Sequence, residues 1–187
     1  MNLILFGPPG AGKGTQAKYL VKKINGFQIS TGELLRNEIQ KNTEIGKLII
    51  NDMNDGKFIN DEIVNKLIKN TISNPQNKDR LIFDGYPRSL SQAKNLEELL
   101  KNSNQKIGAI FFLNVNKDTI IKRIEKRKIL ENRLDDTSET ILKRYDTYMQ
   151  TTRPVLDFYS KNSNFYEIDG ALEIDEITAK IDAFINV

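Results

Sequence analysis

The chain contains no cysteine, no histidine and no tryptophan. Without cysteine there is no disulfide and no thiolate nucleophile, and without histidine no imidazole base and no Ser-His-Asp triad. A Cys/His zinc site is excluded for the same reason. Long apolar runs are also missing, and nothing approaches the roughly 18 residues of a membrane span. The opening Met1-Asn2-Leu3-Ile4-Leu5-Phe6 has no basic segment and too short an apolar stretch for a signal peptide, so a cytoplasmic location with no membrane partner is expected. Charge is nearly balanced, with 28 Lys+Arg against 25 Asp+Glu and a net +3, which argues against a general nucleic-acid binder. The 187 residues, 39% hydrophobic and 28% charged, suffice for one domain with a sizeable core. The abundance of Lys, Asn and Ile (20, 20 and 24) reads as a codon bias without functional content. The groups left for chemistry are Lys, Arg, Asp, Glu, hydroxyls, backbone N–H groups and a hard metal ion. That set suits work on phosphates, which needs positioning and positive charge above all.

Short apolar runs alternate with helical patterns along the chain. Leu3 to Phe6 is continuous and apolar, as a buried parallel strand is. A Gly/Pro-rich turn over 7–12 follows, then a predicted helix from Lys13 to Ile24. Phe27 to Ile29 is a second strand, and Ser30 with Glu33 forms a capping box that opens a helix. Further helices are predicted from Asn60 to Ser73, Ser89 to Lys101, Asp118 to Lys128 and Ile174 to Ile185. A long helix over Ser138 to Tyr159 should kink at Pro154. Strands are predicted at Leu81 to Phe83, Ile107 to Val115 and Asn164 to Ile168. Five strands, each followed by helix, mean an α/β domain with a doubly wound parallel sheet. Residues 43–60 lack a strand of their own and 129–137 are short and polar. Both read as excursions from the core, where binding residues tend to sit.

The segment Gly7-Pro8-Pro9-Gly10-Ala11-Gly12-Lys13-Gly14-Thr15 joins a strand to a helix. Its glycines let successive N–H groups turn inward, and the helix N-terminus adds partial positive charge. Lys13 is placed to reach the β- and γ-phosphates of a nucleoside triphosphate. The usual pattern has Ser or Thr directly after the lysine; here Gly14 takes that slot and Thr15 follows, so Thr15 is only a candidate for Mg²⁺. Asp84 ends an apolar strand and would face the same crevice, where a carboxylate can hold Mg²⁺ directly or through water. Only eight arginines accompany the twenty lysines: Arg36, Arg80, Arg88, Arg123, Arg127, Arg133, Arg144 and Arg153. A chain so rich in lysine should keep arginine for bidentate contacts. Arg123 and Arg127, four apart, share a helix face that could lie over a polyphosphate. Arg88 is close to the crevice, Arg133 lies in the polar gap and Arg144 on the following helix.

Taken together these residues resemble the adenylate kinases, within the wider nucleoside monophosphate kinases, over nearly the whole chain. The stretch Gly7–Thr15 resembles that family's phosphate loop, including the glycine between lysine and threonine. Ser30-Thr31-Gly32-Glu33-Leu34-Leu35-Arg36 resembles the start of the monophosphate-binding segment, and Asp84-Gly85-Tyr86-Pro87-Arg88-Ser89-Leu90-Ser91-Gln92 the family signature. Arg133-Leu134-Asp135-Asp136 resembles the end of the lid, and Asp169-Gly170-Ala171-Leu172 the late loop that touches the ATP adenine. The resemblance implies a P-loop NTPase fold, a five-stranded parallel sheet flanked by helices, with a helical NMP-binding insertion and a short lid. The implied core is 1–29, 60–126 and 138–187, the NMP-binding region 30–59 and the lid 127–137. ATP is expected against Gly10, Ala11, Gly12, Lys13, Gly14, Thr15, Arg127 and Leu172. AMP is expected against Thr31, Arg36, Lys57, Phe58, Ile59, Gly85, Tyr86, Pro87, Arg88, Gln92, Arg133 and Arg144. Among these, Arg88 would hold the AMP phosphate and Gln92 would read the adenine edge. The implied catalytic set is Lys13, Arg88, Arg123, Arg127, Arg133 and Arg144, the last four gathering on the transferring group.

Three departures from the family pattern stand out. Gln28 sits where many members have histidine, Phe58-Ile59 is bulkier than the common pair, and only Lys128 to Asn132 separate Arg127 from Arg133. So short a lid has neither the room nor the ligands for zinc. The implied reaction is reversible phosphoryl transfer from Mg-ATP to AMP, giving two ADP, by a monomer with Mg²⁺ and no zinc. A UMP/CMP kinase is the nearest alternative, but those usually carry Ala at the position of Thr31 and Asn near that of Gln92. A non-catalytic nucleotide sensor has no use for the acceptor-side residues, and a P-loop nucleic-acid enzyme conflicts with the charge.

Overall fold

In this computed structural model residues 1–57, 59–131 and 138–185 are described, with the backbone alone for 127–131, 138 and 141. The expectations placed on Phe58 and Arg133, on the side chain of Arg127 and on a lid over 127–137 therefore lie outside the described residues. Five strands form one parallel sheet: β1 (Asn2–Phe6), β2 (Phe27–Ser30), β3 (Leu81–Asp84), β4 (Ile107–Asn114) and β5 (Phe165–Asp169), in the order β2-β3-β1-β4-β5.

The helices are α1 (Lys13–Lys23), α2 (Thr31–Gln40), α3 (Glu44–Asn54), α4 (Asp61–Ile72), α5 (Leu90–Asn102), α6 (Lys117–Glu131), α7 (Ser138–Thr147), α8 (Arg153–Tyr159) and α9 (Ile174–Asp182). Among them α3 occupies part of the region 43–60, which lacks a strand of its own and where the helical insertion is expected. Its signals are present: the Thr43 hydroxyl accepts from Gly46 N at 3.0 Å, and Ile45, Ile49 and Met53 recur every fourth residue. At Ser30 half of the predicted capping box is seen, with the Ser30 hydroxyl accepting from Glu33 N. The kink expected at Pro154 is a widened π-type turn over Tyr148–Thr152 between α7 and α8. Proline has no N–H and its ring collides with the carbonyl four residues back, so the helix opens by one residue ahead of it.

The sheet explains why its strands read as continuous apolar runs. Side chains alternate between faces along a strand. Ile4, Phe6, Ile29 and Phe83 pack on one face with α2–α5 and α8. Leu3, Leu5, Ile82 and Phe111 pack on the other with α1, α6 and α9. Both faces are covered, so every position of β1 is buried. Phe83 has no exposed surface and sits at the centre of the first core. Truncation to Ala leaves a cavity that α4 and α5 cannot both close. Phe83→Ala is expected to cost about 3–5 kcal/mol, read as a lowered midpoint in urea with an unchanged slope.

The topology also places the site. After β1 the chain runs through α1 to the β2 edge, whereas after β3 it runs through α5 to β4 on the far side of β1. Adjacent strands that leave in opposite directions open a crevice at their C-terminal ends. Register puts Leu5 beside Asp84 and Asp84 beside Ser30 in one row. The loops starting at Gly7 and Gly85 and the first turn of α2 at Thr31 thus emerge side by side. Among the described residues no helix is long and apolar enough to cross a membrane.

Candidate functional site

A cleft of about 680 Å³ opens at that edge. It is in the size range of sites that hold small organic ligands. One end is the loop after β1. Gly10 and Gly12 lie at φ +82° and +94°, which glycine adopts without strain. A Cβ on Gly10 would also stand 2.8 Å from Ile124 Cγ1 of α6, so the close seat of the loop on that helix requires glycine. The Lys13 ammonium folds back over the loop and donates to the carbonyls of Gly7 at 2.7 Å and Pro8 at 3.0 Å. The first-turn amides of α1 face the cleft, and Thr15 is exposed there. A backbone nest with a helix N-terminus and a lysine is an anion cradle.

Asp84 lies beside this cradle. Its Oδ2 would be 3.6 Å from a Cβ on Gly14, and it accepts from Gln28 Nε2 at 3.0 Å. Gln28, which stands at a frequent histidine position in the resembling family, here orients the carboxylate with an amide that does not titrate. A carboxylate oxygen and the hydroxyl of Thr15, which follows Gly14 in the chain and lines the same cleft, are hard donors of the type Mg²⁺ takes. Among the described residues no group of three or more His, Cys, Asp or Glu gathers as a metal cage.

The other end of the cleft is cationic. Arg88 Nε donates to Gly85 O at 2.6 Å, and its Nη2 to Thr31 Oγ1 at 3.2 Å. The Thr31 hydroxyl in turn donates to Gly85 O at 2.8 Å. Gly85, at φ +75°, permits this: a Cβ there would be 2.8 Å from Arg88 Nη2. The Arg36 guanidinium lies over Gly32, 3.3 Å from where its Cβ would be. Arg144 approaches from α7, its Cγ 3.5 Å from the Cβ position of Gly56. Arg88 is deep in the cleft while open to it. Its depth lowers its pKa from the ordinary guanidinium range, Asp84 opposes this, and the charges of Arg144 and Arg36 add to it. Guanidinium stays charged at neutral pH all the same. Three guanidinium groups around one space, two of them opposing the charge of Arg88, are suited to a multiply charged anion.

Most residues singled out by sequence do line the cleft. Gly10–Thr15, Thr31, Arg36, Lys57, Ile59, Asp84, Gly85, Pro87, Arg88, Gln92, Arg123, Arg144 and Leu172 all face it. Tyr86 does not, and its place against AMP is corrected. It has no exposed surface and packs in the core beside Phe83. Its phenol donates to Asn65 Oδ1 at 2.8 Å and accepts from Asn95 Nδ2 at 3.1 Å. Burial pushes that phenol up to about 12, against the hydrogen bond from Asn95. The Gln92 carbonyl lies 3.3 Å from the phenol oxygen, so Tyr86 packs directly beneath that residue. Lys57 reaches the cleft but is tied to Asp55 at 3.0 Å and Asp52 at 3.5 Å. Arg123 is bound by the late loop, donating to Gly170 O at 2.7 Å and Leu172 O at 3.4 Å. Its guanidinium therefore stays on the late-loop side rather than with Arg36 and Arg88. The sequence pattern overlooked the π-type turn, from which Tyr148, Thr151 and Thr152 enter the cleft wall. Thr152 Oγ1 donates to Arg88 O at 3.2 Å, bracing the arginine loop from above. Pro154 was its only signal.

Comparison with known proteins agrees with this geometry. The family model described as adenylate kinase matches residues 5–164. An adenylate kinase of Pelagibacter ubique is 51% identical over the full length of both chains. That of Mycoplasma mycoides is 39% identical, covering 96% of this chain and 94% of its own. That of Archaeoglobus fulgidus is 37% identical, covering 99% and 98%. A phosphate cradle facing a cationic acceptor end across one cleft, and a match over most of the sequence, lead to one assignment: the chain belongs to the adenylate kinase family.

Proposed function

We propose that the chain catalyses reversible transfer of the γ-phosphoryl group of Mg-ATP to AMP, giving two ADP, and so balances adenine nucleotides. The observation that carries this is the two-ended cleft. A triphosphate cradle at Gly10–Thr15 faces the cationic set Arg36, Arg88 and Arg144, so both reactants fit one cavity with their phosphates between them. One chain supplies both ends, which supports action as a monomer, and a cytoplasmic enzyme is the setting in which ATP and AMP meet.

The attacking group is an oxygen of the AMP phosphate, ionised at neutral pH, so no protein base takes a proton. This suits a site built without imidazole or thiol. Lys13 leaves its loop carbonyls to follow the β- and γ-phosphates, and the loop amides hold the non-bridging oxygens. Arg88, with Thr31 and Arg36, fixes the acceptor phosphate in line, and Arg144 adds positive charge near the passing group. Asp84 and Thr15 are the residues that would hold the Mg²⁺ of Mg-ATP, directly or through water, and the ion would neutralise phosphate charge there. Leu172 and Arg123 lie on the donor-base side, held together by the Arg123 bonds to the late loop. Ile59 and Gln92 lie on the acceptor-base side. Residues 30–59 act as the acceptor-binding unit on the core, since Thr31, Arg36, Gly56, Lys57 and Ile59 all come from it.

A UMP/CMP kinase would place Ala and Asn where Thr31 and Gln92 stand, and a carboxamide pairs with both polar atoms of an adenine edge. Phosphorus NMR of the protein with Mg-ATP and AMP, CMP, UMP or GMP in separate tubes tests the reading. Rapid diphosphate formation with AMP alone is the expected result. Preference for CMP or UMP would overturn the acceptor, and no transfer to any of the four would overturn the kinase reading.

A further inference from the structure

Gln92 is almost fully buried, at 1% exposure, yet it belongs to the cleft wall. Both ends of its carboxamide are held. Nε2 donates to Asp61 Oδ1 at 2.6 Å, and Oε1 accepts from the Arg88 main-chain N–H at 2.7 Å. Asp61 is itself fixed, because its Oδ2 accepts from the Ser89 hydroxyl at 2.7 Å. Ser89 Oγ also accepts from Gln92 N at 3.1 Å, closing a ring between the first turns of α4 and α5. Asp61 follows Asn60, the cap of α4, so its carboxylate sits where the helix N-terminus favours a negative charge.

The chemistry of this ring is directional. A carboxylate only accepts hydrogen bonds and a main-chain N–H only donates. A carboxamide between them fits in one of its two flips and clashes electrostatically in the other. One N–H of Nε2 and one lone pair of Oε1 remain for a ligand. A purine shows two different edges to such a group. A 6-aminopurine offers a donor at the exocyclic nitrogen and an acceptor at N1. A 6-oxopurine offers an acceptor at the exocyclic oxygen and a donor at N1, and it matches the opposite flip.

We propose that Asp61 is a specificity-determining positioning residue: by locking the flip of Gln92, it makes the acceptor site select a 6-aminopurine monophosphate over its 6-oxo counterpart. The inference rests on the acceptor reading given above, in which Gln92 meets the base. Asp61 touches no substrate in this account and acts through Gln92 alone. An asparagine of the same shape both donates and accepts, so it admits either flip and leaves only the Arg88 N–H to choose between them.

The test compares AMP with inosine monophosphate, which differ only at positions 6 and 1 of the ring. Both serve as acceptors for Mg-ATP with the wild type and with Asp61→Asn. The ratio of kcat/KM for inosine monophosphate to that for AMP should rise about tenfold in the variant, the scale of one discriminating base contact. KM for ATP should stay at its wild-type value, which a loss of fold or of donor binding would not allow. Ser89→Ala, which removes the support on Asp61 Oδ2 together with the cap on Gln92 N but leaves the Asp61–Gln92 bond, should move the ratio the same way by a smaller factor, and it serves if Asp61→Asn does not fold. An unchanged ratio in a variant that still phosphorylates AMP would overturn the role of Asp61 and leave the acceptor reading intact. A wild type that transfers to neither purine would overturn both.

Discussion

Lys13→Met lowers kcat for transfer from Mg-ATP to AMP by at least about 10²-fold, with circular dichroism and cooperative unfolding preserved. The reason lies in what the ammonium does before and during transfer. It is held by the carbonyls of Gly7 and Pro8, half-buried against its own loop. Moving to the phosphates exchanges two neutral acceptors for charged oxygens in a site from which water is displaced. Methionine keeps the length and apolar body of the stem but supplies no charge. The two part-buried hydrogen bonds contribute about 1–3 kcal/mol, so stability should fall modestly. A stopped-assay kcat within threefold of wild type, at saturating ATP and AMP, would contradict the role given to Lys13.

Arg88→Ala is the second large effect, a fall of at least about 10²-fold in kcat with a rise in KM for AMP and little change in KM for ATP. Arg88 joins Thr31 and Gly85 in one hydrogen-bonded unit at the acceptor end, whereas the ATP cradle lies on the other side of Asp84. Arg88→Ala gives up the bonds to Gly85 O and Thr31 Oγ1 together with the attraction of Asp84, and it also removes the repulsion of Arg36 and Arg144. The variant should therefore keep a cooperative melt close to that of the wild type while losing activity. Arg80, which reaches the Asn25 carbonyl away from the cleft, and Arg153, on the far side of the π-type turn, are the matched controls; their Ala variants should retain most of kcat. A large loss in the controls, or a KM for ATP that rises with that for AMP, would contradict the assignment.

The sheet and phosphate loop were legible because local signals and tertiary environment agree there. Strands buried on both faces must be apolar throughout, and a loop that turns its amides inward must carry glycine. The region 43–60 was harder. Its helix α3 packs on α2 so closely that a Cβ on Gly46 would meet the Glu38 carbonyl, and that helix-pair geometry is not written in any short motif. Tyr86 misled for a related reason: it lies within the segment Asp84–Gln92, but the chain turns its ring inward beside Phe83. Arg123 shared a helix face with Arg127, but its partner is the late loop, a contact between distant segments that spacing along α6 could not show. Asp61 read only as a helix-start residue. Its bond to Gln92 spans 31 positions and exists only because the first turns of α4 and α5 meet.

The central claim is that the γ-phosphoryl group passes to a nucleotide rather than to water. The direct measurement uses ATP labelled at the γ-phosphorus, mixed with AMP and the protein in the presence of Mg²⁺, with products separated at early times. Label appearing in ADP at the rate of AMP consumption, with negligible inorganic phosphate, is the result this account predicts. Label appearing as inorganic phosphate, at a rate indifferent to AMP, would contradict it.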